Sequence, residues 1–190
     1  MEKEMRGPVC VFLADGFEEV EGLTVVDVLR RAGIPVKTVS IKDSRKVKSS
    51  HGIKMKADKK LIDIDFAKVD MIVLPGGLQG TQNLEACEPL LDALREFNDQ
   101  KRPIAAICAA PRIFAHLGFL NDKPAACNPC IEDQMGNATI AKDKKVVSDG
   151  HIITSCGMGT ALPFALAIVK YYQGQEGLDK VLPGIVYSCS

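Results

Sequence analysis

The segment Ile-Ala-Ala-Ile-Cys-Ala-Ala-Pro at residues 104–111 indicates the fold class. Its first four residues are all apolar, which is typical of a short strand buried on both faces of a sheet. The chain then passes through Cys108 and Pro111 into a segment with the pattern of a short helix, ending near Gly118. A buried strand that runs directly into a helix is typical of an α/β domain.

The same alternation of apolar runs and helical spacing extends in both directions from this stretch. Strands are predicted at residues 9–13, 35–41, 69–74 and 152–154, near Val146, and as short pieces near Val47 and Ile53. Helices are predicted from residue 17 to a Gly33 terminus, over 78–99 as one or two helices, and from 157 to about Tyr172. This order predicts a mostly parallel sheet with helices on both faces. No repeat or linker divides the chain, so residues 1–190 are expected to form a single domain.

The composition excludes several classes of protein. The chain has 190 residues, with 24 Lys and Arg against 24 Asp and Glu, so its formal net charge is zero. A neutral chain offers no general attraction to nucleic acid or to an anionic membrane. Seven cysteines are too few for a disulfide scaffold, and their odd number leaves at least one thiol unpaired. The first residues are charged with both signs and the apolar run at 9–13 is too short for a signal peptide, so we expect a cytoplasmic protein.

Cys108 is the sharpest candidate for chemistry. It follows a buried strand and precedes a helix, where a nucleophile projects beyond the sheet edge and faces the positive end of the helix dipole. That position predicts a lowered thiol pKa, and the backbone N–H groups of Gly77 and Ala109 could stabilise an oxyanion. The glycines at 76 and 77 would allow close approach of a ligand. The alternative is a buried structural thiol, and position alone does not decide between the two.

Four motifs in order resemble the ThiJ/PfpI superfamily, and within it the DJ-one-like branch that contains the parkinsonism-associated protein. They are ADGFEEVE at 14–21, LPGG at 74–77, AAICAAP at 105–111 and TSCGMGT at 154–160, and the resemblance covers the chain from about residue 8 to 174. It implies a flavodoxin-like three-layer α/β sandwich, a homodimer, and a site that uses no cofactor and no metal.

The resemblance also implies roles for individual residues. Cys108 would be the reactive cysteine, and Glu21 would be an acid whose protonated carboxyl donates to the sulfur. Without the resemblance, Glu21 would be interpreted as a solvated helix carboxylate. The chain departs from the pattern twice: Ala109 stands where the protease-like branch has a histidine base, and Asn128 stands where many DJ-one-like members have His. Asn128 could bind a substrate carbonyl but cannot shuttle a proton, so a glyoxalase reaction would rely on Glu21 or water.

Four further features were weighed in the sequence. Cys127 and Cys130 form a C-x-x-C, either a redox or resolving pair near Cys108 or an ordinary loop. The segment at 157–160 is interpreted as a pocket wall whose Thr160 caps the following helix, rather than a phosphate loop. His116 follows an apolar helix face and is expected in the core or behind the site. The basic residues at 42–48 and 59–60 are interpreted as solvated surface.

The resulting hypothesis is a cofactor-independent cysteine enzyme that acts on reactive carbonyls, of the glyoxalase III or protein deglycase type. The alternative is a redox sensor or redox-regulated chaperone without turnover, since both need only one reactive thiol. A cysteine peptidase is disfavoured because the base is missing at Ala109. The expected partners are a small reactive carbonyl or an oxidant, and a second copy of the chain, with neither nucleic acid nor a membrane.

Overall fold

A computed structural model describes Met5 and residues 7–187. Cys189 and most of the charged start of the chain lie outside these residues. Eleven strands are described: β1 (Val9–Leu13), β2 (Val36–Ser40), β3 (Lys46–Lys48), β4 (Lys54–Lys56), β5 (Lys59–Lys60), β6 (Met71–Leu74), β7 (Ile104–Ile107), β8 (Pro124–Ala125), β9 (Thr139–Ile140), β10 (Val146–Asp149) and β11 (Ile152–Ser155). The α-helices of the described chain are α1 (Glu19–Arg31), α2 (Leu78–Glu85), α3 (Glu88–Asp99), α4 (Pro111–His116) and α5 (Ala161–Val181).

Seven strands form the central sheet, in the order β10-β11-β7-β6-β1-β2-β5. Every pairing is parallel except that of β10 with β11, which closes one edge. The central strands β1, β6 and β7 are buried along their whole length, as expected of strands covered on both faces. The predicted mostly parallel sheet is confirmed.

Helices cover both faces of this sheet, which gives a flavodoxin-like three-layer sandwich. One apolar core lies between the sheet and α1 with α5, and includes Val25, Leu29 and Phe164. The second lies between the opposite face and α2, α3 and α4, and includes Leu94 and Phe114. Because β1, β6, β7 and β11 run parallel to one another, their carboxyl ends meet along one edge of the sheet.

Most of the predicted boundaries hold within a few residues. Gly33 has φ 73° and follows the end of α1, as predicted for a helix terminus. The last helix runs past Tyr172 and is interrupted at Gly174, whose φ of 63° and ψ of −154° are not helical. The capping role predicted for Thr160 was wrong: its side chain makes no cap bond to α5 and bonds to Gly157 instead.

Two features of the surface differ from the sequence expectation. Lys59 and Lys60 are partly exposed but also form the edge strand β5, which pairs with β2. The short pair of strands β8 and β9 was not predicted. None of the described helices combines the length and the apolar character that crossing a membrane requires.

Candidate active site

Cys108 lies on the sharp turn between β7 and α4 that the sequence predicts. Its φ of 66° is in the left-handed region, which costs a non-glycine residue of order 1–3 kcal/mol and persists only when neighbours hold it there. The Cys108 N–H donates to the carbonyl of Ser155 (3.0 Å), and its carbonyl accepts from the N–H of Asn128 (2.9 Å). The neighbouring strand β11 and the segment after β8 therefore fix the turn from both sides.

Glu21 approaches the same position from the first turn of α1. Its side chain is buried, with 1% of the residue exposed, and Oε2 accepts a hydrogen bond from the Gly76 N–H at 2.8 Å. Oε1 is also buried and has no oxygen or nitrogen partner among the described residues. The carboxyl instead contacts the Cys108 thiol. Burial raises the pKa of Glu21 to about 7, against the hydrogen bonds from Gly76 and Cys108 and with help from the charge of Glu18.

Gly76 and Gly77 bring the end of β6 against the two reactive groups. A Cβ on Gly76 would lie 2.5 Å from the Cβ of Cys108 and 2.7 Å from Glu21 Oε2, so no larger residue fits. Gly77 has φ 87°, and its N–H bonds to the Cys108 sulfur. Gly76 thus orients the acid and the Gly77 N–H faces the sulfur. The sequence analysis assigned both glycines to close approach of a ligand and the Gly77 N–H to an oxyanion, and that oxyanion role stays a prediction.

Asn128 supplies a second donor to the sulfur. Its Nδ2 lies 3.5 Å from Cys108 Sγ, while its Oδ1 accepts from the Cys130 N–H at 3.0 Å. The bond to the Cys130 N–H fixes which end of the amide is the oxygen, so the NH₂ group must face the sulfur. In this arrangement the NH₂ group of Asn128 donates to the thiol, and its carbonyl oxygen already accepts a hydrogen bond from the Cys130 N–H.

The pKa of the Cys108 thiol is raised to about 12. Burial is the largest cause, followed by the charge and hydrogen bond of Glu21, while Gly77 and Asn128 act in the opposite direction. The predicted lowering of this pKa was therefore wrong, because burial and the carboxyl outweigh the short helix α4. When two acidic groups are in contact, ionisation of one disfavours ionisation of the other, so the pair loses its two protons in two separate steps. Glu21 and Cys108 thus share a single negative charge over a wide range of pH.

Gly157 and Ala109 complete the surroundings of the sulfur. The position of a Cβ on Gly157 would be 3.8 Å from Cys108 Sγ, 3.4 Å from Asn128 Nδ2 and 3.9 Å from Glu21 Oε1. The three polar side chains therefore converge on the space in front of Gly157, which the sequence identified as a pocket wall. Ala109 follows Cys108 in the turn before α4. Its predicted oxyanion role stays a prediction.

A polar cluster lies beside the site at the start of α1. Ser50, from the β3–β4 turn, donates to Glu18 and Glu19 at 3.0 Å, and His51 Nδ1 is 3.1 Å from Glu19 Oε1. Burial disfavours the Glu19 charge, but hydrogen bonds from its own N–H and from the Ser50 turn outweigh it and lower its pKa to about 2. Ligand atoms of Glu18, Glu19 and His51 lie within 4.8 Å of one another. Their mutual hydrogen bonds account for this arrangement.

The remaining candidates lie around the site. Cys127 is buried and Cys130 is exposed, and the C-x-x-C opens a 3-10 helix (Pro129–Gln134) rather than an α-helix. A resolving role for either thiol stays a hypothesis. The expectation for His116 was wrong: it is exposed and its Nδ1 pairs with Glu85, because α4 turns that side to solvent.

Sequence reasoning missed two contributors to the site. The carbonyl of Ser155 holds the Cys108 turn, and Glu18 raises the pKa of Glu21. Ser155 lies far from Cys108 in the chain, and Glu18, only three residues from Glu21, affects it in a site whose burial no local pattern reveals.

The chain is similar in sequence to known proteins. A sequence profile of the DJ-1/PfpI family matches residues 8–171. Protein dj-1beta of Drosophila melanogaster is 38% identical over 183 residues, 96% of this chain and 98% of that protein. A protein of Caenorhabditis elegans named "Glutathione-independent glyoxalase DJR-1.2" is 32% identical over 87% of this chain and 88% of its own length. Protein DJ-1 homolog B of Arabidopsis thaliana is 38% identical over 88% of this chain, but the chain spans only 39% of that protein.

Solved structures are similar over nearly the whole chain. The crystal structure of Drosophila melanogaster DJ-1beta has a TM-score of 0.91 at 37% identity, covering 96% of this chain and 98% of its own. Toxoplasma gondii DJ-1, described as oxidized, has a TM-score of 0.90 at 31% identity, covering 96% and 99%.

Proposed function

The chain belongs to the DJ-1/PfpI family, and on this premise we propose that it is a cofactor-independent cysteine enzyme acting on small reactive carbonyls. The reaction would be of the glyoxalase type, which converts methylglyoxal to lactate, or of the deglycase type, which removes early carbonyl adducts. A relative of the chain carries the name of a glutathione-independent glyoxalase. A thiol that itself forms the covalent intermediate takes the place of glutathione in such chemistry.

One observation supports this proposal above the others. Glu21 Oε1 is a buried oxygen with no nitrogen or oxygen partner among the described residues, and its carboxyl contacts the Cys108 thiol. A bare carboxylate oxygen in such a place is costly, whereas a protonated one can donate to the sulfur. The Cys108 thiol faces this carboxyl, so a proton that moves from Cys108 to Glu21 along that contact creates a thiolate, although burial and the Glu21 charge favour the thiol at rest. The Gly77 N–H and Asn128 NH₂ would hold the thiolate charge.

The reaction then balances with these two residues and one water. The Cys108 thiolate attacks the aldehyde carbon, a C–S bond forms, and the carbonyl oxygen takes the proton from Glu21, giving a hemithioacetal. The Glu21 carboxylate removes the hydrogen from this carbon and returns a proton to the adjacent carbon, while the hydroxyl proton passes to the oxygen of that adjacent carbon, leaving a lactoyl thioester. Water cleaves the thioester and restores the thiol. The sum is methylglyoxal plus water to lactate.

Purified protein tests this proposal directly. We expect lactate from methylglyoxal with the wild type, and a rate at least about a hundredfold lower with Cys108→Ala or Glu21→Gln. Cys130→Ala is the matched control, because it removes an exposed thiol but keeps the N–H that orients Asn128. Lactate production by Cys108→Ala at the wild-type rate would exclude the mechanism.

A redox sensor without turnover is the second candidate, and Asn128 favours it. An amide can donate to a thiolate or to an oxidised sulfur but cannot carry a proton through a catalytic cycle. A structural relative has been described in an oxidized state. In this case Cys108 would take up two oxygens from peroxide as a sulfinate that Glu21 and Asn128 hold, with no lactate formed. Intact mass and lactate measured on one sample separate the two functions.

A second copy of the chain is the proposed protein partner, since DJ-1 family proteins are typically dimeric. Sedimentation velocity of the purified protein tests this: a single species of monomer mass at micromolar concentration would contradict it.

A further inference from the structure

A buried guanidinium, that of Arg112, joins three elements of the chain that begin at the active site. Arg112 is the second residue of α4, and only 7% of it is exposed. Its Nη2 lies 3.1 Å from Glu85 Oε2, and its Nη1 donates to Gln134 Oε1 at 3.2 Å. Glu85 is the last residue of α2, and Gln134 is the last residue of the 3-10 helix Pro129–Gln134. We call Arg112 with these two partners the arginine hub.

The same three elements all begin beside the sulfur of Cys108. Gly77, whose N–H bonds to the sulfur, is the N-cap of α2. Asn128, whose amide donates to the sulfur, is the N-cap of the 3-10 helix. Cys108 itself lies three residues before the start of α4. Eight residues of α-helix and six of 3-10 helix each span about 12 Å, so the hub holds the far ends of the two elements that carry the donors.

Folding alone does not explain a charged side chain at this position. Taking a guanidinium out of water is costly, and apolar residues in place of a buried ion pair are often as stabilising or more so. The Nε of Arg112 is also buried with no hydrogen-bond partner among the described residues, which adds to the cost. Arginine is favoured instead where a planar fork must hold acceptors at fixed angles. Here the two acceptors belong to two different elements.

Glu85 is itself held by a second contact. Its Oε1 faces His116 Nδ1, so the carboxylate bridges the second and the last residue of α4. The side chains become more exposed outward from the hub, at 8% for Arg112, 27% for Glu85 and 50% for His116. Because buried pairs are screened less than exposed ones, the contact with Arg112 is the stronger constraint on the end of α2.

We propose that Arg112 is a positioning residue for the active-site sulfur and acts through Asn128 and Gly77. Groups that act on a reacting atom must be held to within about 0.5 Å, and their supporting contacts supply that precision. Asn128 is the better reporter of the two, because its donor is a side chain that a substitution removes. The proposal concerns the thiol itself, so it applies whether Cys108 turns over a carbonyl or only senses an oxidant.

A double-mutant cycle on the full chain tests the proposal. The readout is the rate at which iodoacetamide alkylates Cys108 at fixed pH, followed on the Cys108 peptide by mass spectrometry, which needs no turnover. Asn128→Leu should slow alkylation by about tenfold, because a hydrogen bond to the thiolate is lost. Arg112→Met should slow it as well. In that background Asn128→Leu should slow it by less than about twofold, since the amide no longer lies at the sulfur.

Arg95→Met is the matched control. Arg95 pairs with Glu88 and Asp92 on the surface of α3, so this change removes the same group without touching the hub. In the Arg95→Met background, Asn128→Leu should keep its full effect of about tenfold, because distant and independent sites are additive.

Gln134→Ala provides a second cycle that keeps the pair of Arg112 with Glu85. It should show the same loss of the Asn128→Leu effect, and it carries the test alone if circular dichroism shows that Arg112→Met does not fold. Fully additive effects in the folded variants would overturn the proposal, because the hub would then stabilise the fold without placing the amide. An alkylation rate that neither hub variant changes would overturn it too.

Discussion

The side-chain amide of Asn128 donates a hydrogen bond to the sulfur of Cys108, with 3.5 Å between Nδ2 and Sγ. The other end of the amide is occupied by the Cys130 N–H, so the group cannot turn over without losing that bond. An amide in this place stabilises negative charge on sulfur but exchanges no proton. Proton movement during any reaction of this site consequently depends on Glu21.

Replacing Asn128 tests that dependence. We expect Asn128→His to raise kcat for methylglyoxal by about tenfold or more, because an imidazole near neutral pKa can carry a proton as well as donate to the sulfur. Asn128→Leu removes the donor, so the thiol pKa should rise further and the rate should fall. Steady-state kinetics and titration of the thiolate by its ultraviolet absorbance provide both readouts. Equal rates in the wild type and both variants would show that position 128 takes no part in the chemistry.

Glu21→Gln should separate thiolate formation from catalysis. Removing the carboxyl removes two causes that raise the Cys108 pKa, its charge and its hydrogen bond. The thiolate should therefore appear at lower pH in the variant, while lactate production falls because the proton carrier is lost. Absorbance titration and a lactate assay on the same preparation check this pair of effects. A thiol pKa that rises in the variant would contradict the charge coupling.

The stability of the fold should decrease with pH because of Glu21. Its pKa is about 7 in the folded chain against 4.5 as a free side chain, so the folded state binds this proton more tightly. The stabilisation is complete below about pH 4.5 and is lost as pH rises to about 7, by up to about 3 kcal/mol. Urea denaturation across that range should show the free energy of unfolding of Glu21→Gln rising by this amount relative to that of the wild type. A constant difference between the two proteins would mean that Glu21 is ionised throughout.

Gly76→Ala should damage the site and the fold together. Its methyl group would lie 2.5 Å from the Cβ of Cys108 and 2.7 Å from Glu21 Oε2, so one of them must move. We expect a loss of about 1–3 kcal/mol in the free energy of unfolding and of most activity. Gly159→Ala is the control, since a Cβ there meets no atom within 4 Å. Denaturation midpoints that are equal for the two variants would show that the close packing at Gly76 is not restrictive.

The sequence predicts the fold well because its signals are local. Apolar runs at β1, β6 and β7 and the helical spacing of α1 and α3 need no knowledge of distant contacts. Cys108 is identified for the same reason, since a strand-to-helix turn is visible within residues 104–111. The short strands β8 and β9 are two residues long and exist only through pairing, so no pattern predicts them.

The site is harder to predict from the sequence because most of its contacts join residues that are far apart in the chain. Glu18, Glu19 and Glu21 are equivalent in the sequence, and only the resemblance to a family selects the last; in the structure Glu21 alone reaches Cys108. The thiol pKa was predicted in the wrong direction because the helix N-terminus is apparent in the sequence, whereas the burial of the thiol and its contact with the Glu21 carboxyl are not.

The groups that converge on the sulfur come from four separate parts of the chain, at positions 21, 76–77, 128 and 157. Each follows a different strand or turn, so none can be in place until β1, β6, β7 and β11 have paired in register. Reactivity of Cys108 toward a thiol reagent is therefore a reporter of refolding. During dilution from denaturant, Cys108 should become protected from the reagent only when the last parallel strands have paired and Glu21 is in contact with the thiol. This protection should appear later than the helical circular dichroism signal, because long-range strand contacts form more slowly than helices.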